Sequence, residues 1–271
     1  MGTQAVHRAM NVLHGIARGR TAGIGLTDIA RQTGLNKSTA HRLIQALMIE
    51  GLVDQDRGSR KYSLGAGCHA LGLAAANRWG VYRLAPPHVL RLAHETGDAA
   101  FFSLRQDAHA LCMLREEGDF PLKSHVLAAG DQHPLGVGGG SQAMLAALPD
   151  DEVARCLDQN LDEIRRLYPR YTPKRLRQLV ALGRKKGYSV NPGLVLEGSW
   201  GIGIALRRPD GQVFGALSIA TVESRMTAER EALIASLLAR EARALEKLAG
   251  ERPAFQTNGP GPVNATTAGH K

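Results

Sequence analysis

A chain of 271 residues, 44% hydrophobic and 22% charged, has the make-up of an ordinary folded protein with one large or two moderate domains. Its 34 Lys/Arg against 25 Asp/Glu leave a net charge of +9, which directs attention to an anionic partner. Cys68, Cys112 and Cys156 are far apart and form no CxxC, which speaks against a disulfide framework and fits reduced thiols. The charge is unevenly spread. Residues 1–67 hold nine Lys/Arg and four Asp/Glu, so the first quarter of the chain carries five of the nine net charges. The opening MGTQAVHRAMNVL has no signal-peptide hydrophobic region, and no apolar run is long enough for a membrane span. A soluble, cytoplasmic protein without a membrane partner is expected.

In chain order, the first segment reads as three helices and a hairpin. Val6, Ala9, Met10, Leu13, Ile16 and Ala17 recur at helical spacing until the Gly19–Gly25 stretch breaks the pattern. Leu26, Ile29 and Ala30 mark a short second helix, with Thr27 as its expected cap and Gly34 at its end. A third helix is predicted from Lys37 to Glu50. Leu52–Gln55 and Lys61–Leu64 read as strands joined by the polar loop Asp56-Arg57-Gly58-Ser59. Residues 68–80 form a small-residue helix linking two units. Beyond it FFSL and ALCML predict a hairpin around Gln106–His109, and GSWGIGIALRR with VFGALSIATV predict another turning at Pro209-Asp210-Gly211. Helices are expected near 140–148, 150–159 and 173–186, with a long amphipathic one from Ala228 to Leu248. The Gly/Pro/Asn/Thr-rich tail from Glu251 is expected to be disordered.

The most specific constellation lies between Leu26 and Leu64. Ala30 and Gly34, four apart, suit the close approach and left-handed turn of two consecutive helices. Ala40, Leu43, Ile44, Leu47 and Met48 then form one apolar stripe. Opposite it stand Ser38, Arg42 and Gln45, with His41 on the flank, all able to donate to base edges or phosphates. Lys37, Ser38 and Thr39 occupy the helix start, where amides and dipole favour phosphate. Arg57, Arg60 and Lys61 give the hairpin the character of a basic wing. A helical module with a merely solvated basic face is the plainer alternative. The added wing and polar recognition face favour double-stranded DNA.

With these residues in view, residues 4–249 resemble the IclR family of bacterial transcriptional regulators. The likeness is carried by AVHRAMNVL, LTDIARQTGLNKSTAHRLIQALMIEGLV and KYSLG, then by HPLGVGGGSQAMLAALP, RKKGYSVN and DGQVFGALSIATVESR. The resemblance implies an α+β chain: an N-terminal winged helix-turn-helix (1–67), a linker helix (68–81) and a C-terminal GAF-like α/β effector-binding domain (82–250), followed by a disordered tail (251–271). It also implies homodimers, or dimers of dimers, on palindromic operators, and a small-molecule effector, with carboxylic acids common among relatives.

The sensor half holds two weaker signals. Gly136, Gly138, Gly139 and Gly140 lead into a helix containing Ala143, Met144 and Leu145, which suits either a carboxylate at exposed amides or a tight packing turn. Gly201 and Gly203 share one strand face, leaving room either for a ligand or for a packed helix. Ser218 on the next strand needs a hydrogen-bond partner if it faces inward. By resemblance, Gly139, Gly140, Asn191, Gly201 and Ser218 line the effector pocket, and some relatives carry an acid or a thiol where Asn191 and Gly201 stand. No cofactor and no metal are expected: His125 and His133 flank the glycine turn without further ligands and read as surface or loop histidines. The alternative of an enzyme with an accessory DNA-binding domain finds no support. Ser141 sits in GGGSQA and not in G-x-S-x-G, Cys112 lies in an apolar strand, and Asp150, Asp151 and Glu152 open a helix whose dipole they complement. A structural DNA-packaging protein would account for the charge but not for the large second domain.

Overall fold

A computed structural model of the chain describes residues 2–17, 19, 22–76, 80–122 and 127–251. The chain divides into two compact units, 1–78 with 129–131, and 79–128 with 132–271. The disordered tail expected from Glu251 lies, past Glu251 itself, outside the described residues, and so does His125.

The first unit contains α1 (Gly2–Ala17), α2 (Leu26–Thr33), α3 (Lys37–Ile49), β1 (Val53–Gln55), β2 (Tyr62–Leu64) and α4 (Ala66–Ala76). Its core is built from the apolar positions read from the sequence. Val12 and Ile16 of α1, Ile29 of α2 and Ile44 and Leu47 of α3 close on Val53 and Tyr62 of the hairpin. Each such side chain contributes about 1.5–3 kcal/mol on burial. β1 and β2 are antiparallel, Asp54 facing Ser63, and Ile24 bridges to Tyr62, adding a contact that periodicity does not announce. Thr27 is not the cap of α2: the helix starts one residue after Gly25, which caps it without a side-chain bond. At the other end Gly34 is left-handed (φ 67) and its N–H donates to the carbonyl of Ala30. The start of α4 is held to the hairpin base, where the Gly67 N–H donates to the Gly51 carbonyl at 2.9 Å.

The second unit contains α5 (Gly80–Thr96), β3 (Ala99–Gln106), β4 (His109–Glu116), β5 (Gln132–Pro134), α6 (Gly139–Ala146), α7 (Asp150–Leu167), α8 (Pro173–Lys186), β6 (Ser189–Pro192), β7 (Ser199–Arg207), β8 (Val213–Val222) and α9 (Ala228–Gly250). The six strands form one sheet in the order β5-β4-β3-β8-β7-β6, and every neighbouring pair is antiparallel. Alternation along the strands sends Ala100, Phe102, Leu104, Ile202, Leu217 and Ile219 to one face, where α5 and α9 cover them. α6, α7 and α8 build a second core with Ala110, Ala216 and Tyr171.

Both predicted hairpins form at the predicted turns. Three features differ from the sequence reading. The linker helix expected over 68–80 begins earlier, at Ala66, and is described as far as Ala76; residues 77–79 of that expectation lie outside the described residues, and a helix is again present from Gly80. That helix, α5, runs through Pro86 and Pro87, which remove two backbone donors. α7 continues past the expected end at 159 to Leu167, because Asn160 and Ile164 keep a buried side.

Candidate functional site

The face of α3 opposite its buried Ala40, Ile44 and Leu47 carries Ser38, Arg42 and Gln45, with His41 on the flank; these four and Lys37 in the first turn are exposed, and Thr39 is half-buried at the edge. The sequence did not single out Asn36, which proves to be the α3 cap. Its Oδ1 accepts from the Thr39 amide at 2.8 Å and from the Ser38 hydroxyl at 2.9 Å. The Thr39 amide is therefore already taken, which leaves the Lys37 and Ser38 amides of that turn for a phosphate.

The wing is shaped by its own acid. Asp56 Oδ1 accepts from the Ser59 amide and the Ser59 hydroxyl, each at 2.7 Å, and Arg60 adopts a left-handed φ of 58. The bonds from Ser59 hold the Asp56 carboxyl below its ordinary value. Asp56 thus stays ionised while it organises the turn. Arg57, Arg60 and Lys61 remain exposed, with no acid within 4.0 Å among the described residues.

In the second unit the five expected effector residues do come together, at the N-terminal end of α6. Asn191 pairs with Gly201 across β6 and β7, and Gly203 pairs with Ser218 across β7 and β8. A Cβ on Gly139 would stand 2.8 Å from the Gly201 carbonyl carbon, and one on Gly140 would stand 3.0 Å from Ser218 Oγ. Of the two alternatives for the glycine face of β7, room for a ligand or for a packed helix, the helix takes the space at Gly203. A Cβ on Gly203 would lie 2.5 Å from the carbonyl carbon and oxygen of Gly139, so the backbone of α6 fills that space.

Two polar features survive this close packing. The first-turn amides of Gly139, Gly140 and Ser141, all in buried residues, meet no acceptor among the described residues. Ser218 is 9% exposed and its hydroxyl likewise has no partner among them. Tyr171, which the sequence gave no reason to single out, closes the site from the side. Its buried hydroxyl accepts from the Gly138 N–H at 2.9 Å and donates to Asn191 Oδ1 at 2.8 Å. Burial pushes the Tyr171 phenol well above its ordinary value, so it remains a donor. Asn191 Oδ1 also accepts from the Leu194 amide at 3.2 Å, and Arg170 donates to the Gly193 carbonyl at 3.0 Å.

The remaining candidates resolve as structure. The Ser141 hydroxyl donates to the Pro134 carbonyl at 2.8 Å inside the fold, and Cys112 is fully buried in β4. Asp150, Asp151 and Glu152 form the first turn of α7. His133 is not on the surface as expected but 9% exposed in β5. Among the described residues no group of three His, Cys, Asp or Glu is placed to hold a metal ion, and no helix is long and apolar enough to cross a membrane.

Comparison with known proteins agrees with this architecture. Residues 5–57 match the IclR helix-turn-helix domain, and residues 73–247 match the bacterial transcriptional regulator IclR C-terminal domain. The chain belongs to the IclR family. It is a DNA-binding transcriptional regulator with a C-terminal effector domain, and the family is one of regulators, not enzymes. It is 26% identical over 205 residues to the HTH-type transcriptional regulator KipR of Bacillus subtilis, covering 76% of this chain and 81% of that one. The crystal structure of an IclR transcriptional regulator from Alicyclobacillus acidocaldarius superposes with a TM-score of 0.73 at 26% identity, covering 90% of this chain and 98% of that one. An IclR homologue from Microbacterium hydrocarbonoxydans, crystallised with 4-hydroxybenzoate, shares the fold with a TM-score of 0.71 at 22% identity, covering 90% and 98%.

Proposed function

We propose that this regulator works in the cytoplasm as a homodimer, or a dimer of dimers, on a palindromic operator, and that it responds to a small carboxylic acid. Residues 1–67 contact DNA, 68–81 link, and 82–250 sense. The observation that carries the DNA part is the exposed polar face of α3 set directly opposite its buried stripe. Arg42 and Gln45 read base edges in the major groove. Lys37, Ser38, Thr39 and His41 hold the helix on the backbone, and Arg57, Arg60 and Lys61 of the wing take flanking phosphates.

Dimerisation rests on α4, whose sequence AGCHALGLAAA has no acid, lysine or arginine and leaves Leu71 62% and Leu73 58% exposed. A second copy of α4 covers this surface, the exposed Val6 and Met10 of α1 offer further apolar area, and the pair gives two recognition helices for two half-sites.

For the effector, unpaired amides at the start of α6 and the unpaired Ser218 hydroxyl supply donors suited to a carboxylate. Gly139, Gly140, Asn191, Gly201 and Ser218 form its surroundings. Ser218 pairs with Phe101 across β3 and β8, which places an aromatic side chain in the next strand beside that hydroxyl. The 4-hydroxybenzoate in the Microbacterium homologue makes aromatic carboxylates the first compounds to try.

The test is a thermal-shift screen of the full-length protein against aromatic and short-chain carboxylates, followed by operator binding with each hit. A hit raises the melting midpoint by mass action and changes operator affinity. Replacing Ser218 with Ala weakens that hit while leaving DNA binding alone. A hit that ignores Ser218→Ala places the effector elsewhere.

A further inference from the structure

The positive charge of this chain is concentrated in two places, and only one of them is the winged helix. Residues 165–186 contain nine Lys/Arg and no acid, a charge equal to that of the whole chain. Outside this stretch and residues 1–67, acids outnumber bases by five. Four of the nine cations are paired: Arg165 with Asp162, Arg170 with Glu197, Arg184 with Asp150 and Lys186 with Glu231. Arg166, Lys174, Arg175, Arg177 and Lys185 are exposed and have no acid within 4.0 Å among the described residues.

Helical geometry gathers three of these into a line. α8 buries Leu176, Leu179, Val180 and Gly183, and Lys174, Arg177 and Lys185 lie on the opposite side with Gln178 and Ala181 between them. Lys174 and Lys185 are eleven residues apart, roughly 16 Å along the axis, a length over which one DNA strand presents about five phosphates. The described residues of this face offer no aromatic anchor of the kind that carries a protein–protein interface. Exposed, mutually repelling cations without such an anchor suit the regularly spaced phosphates of a polyanion backbone.

We propose that the outer face of α8, with Lys174, Arg177 and Lys185 at its centre, is a second DNA-backbone surface. It contacts phosphates without reading sequence. Because the same chain already holds DNA through its winged helix, duplex is present near this surface at high effective concentration, and weak contacts suffice. The inference rests on the reading that the winged helix itself binds DNA, and the experiment separates the two.

Binding of full-length protein to a long mixed-sequence duplex is measured over a range of salt concentrations. Four proteins are compared: wild type, Lys174→Gln/Arg177→Gln/Lys185→Gln, Arg57→Ala/Arg60→Ala/Lys61→Ala, and a control, Arg83→Gln/Arg243→Gln/Lys247→Gln. The last removes three exposed cations elsewhere on the same unit. The proposal expects the α8 triple to lower the slope of log K against log salt by about 0.9 per lost phosphate contact, up to about 2.7, and the control to leave it unchanged. An unchanged slope in the α8 triple, or an equal fall in the control, overturns the proposal and leaves the winged-helix reading intact. An unchanged slope in the wing triple tells against the wing and leaves α8 standing. A second measurement uses wild-type protein, so a misfolded variant cannot blur the outcome. Duplex DNA is expected to shield Lys174 and Lys185 from acetylation. Shielding by polyglutamate but not by DNA overturns the proposal in favour of an acidic protein partner.

Discussion

Replacing Gly203 with Ala places one methyl group where β7 meets α6. The new Cβ falls 2.5 Å from both the carbonyl carbon and oxygen of Gly139 and 2.6 Å from Gly140 Cα. All three are backbone atoms, so no rotamer change relieves the overlap, and α6 must move off the sheet by roughly 1 Å to restore van der Waals distance. That shift loosens a helix whose eight residues are all buried. Overpacking of this kind costs about 1–3 kcal/mol, and the backbone contact argues for the upper end. Gly201→Ala meets its nearest atom, Gly139 N, at 3.3 Å, so it costs less, although Gly201→Leu would still drive α6 away. Gly72→Ala in α4 meets nothing within 4 Å and stabilises its helix by about 0.5–1 kcal/mol. The assay is denaturant unfolding of the full-length variants, reading the transition of the second unit separately from the first. Equal stability for Gly203→Ala and Gly201→Ala would refute the packing account and reopen the glycine face as ligand space.

Other predictions follow from the same geometry. Asn36→Ala removes the side-chain acceptor that holds the Thr39 amide and costs about 1 kcal/mol of first-unit stability, read from its melting transition. Neutralising Arg57, Arg60 and Lys61 weakens binding to all duplexes alike and flattens its salt dependence by about 0.9 per lost phosphate contact. Glu241, between α5 and α9, is held at about 2: burial pushes its carboxyl up, but hydrogen bonds from Arg91, His88 and Arg240 outweigh that. Its folded value lies below the ordinary 4.5, so the stability it confers is complete above about pH 4.5 and is lost as pH falls towards about 2. Glu241→Gln flattens that limb of the acid unfolding curve; an unaltered limb would show that the network does not couple to folding.

What the sequence shows depends on how local the determinant is. The stripe of α3, the turn at Gly34 and the hairpin closing at Asp210-Gly211 are set by residues within a few positions of one another, and all three appear where periodicity and turn chemistry place them. The expected pocket residues also converge, since two adjoining strands and one glycine turn suffice to assemble them. Distant partnerships were illegible. Tyr171 reaches Gly138 and Asn191 across 33 and 20 residues, and Asp98 is paired with Arg225 and Arg230 more than 120 residues away. The three-residue strand β5 has too little pattern to detect, and α5 survives Pro86 and Pro87 because Ala85, Val89, Leu92 and Ala93 bury its inner side. Glycine is the instructive ambiguity. An alternating Gly201/Gly203 pair reads equally as ligand space or as helix contact, and only the position of Gly139 decides between them.

The central claim is that the exposed face of α3 reads DNA sequence. It is tested most directly by selecting duplexes from a random pool with full-length wild-type protein and with Arg42→Ala. Wild type is expected to enrich a twofold-symmetric motif, its half-sites about one helical turn apart or a multiple of that. Arg42→Ala is expected to keep its fold and non-specific binding but to lose about 1–3 kcal/mol of discrimination at one base pair per half-site. Enrichment of the same motif with the same strength by both proteins would contradict the account.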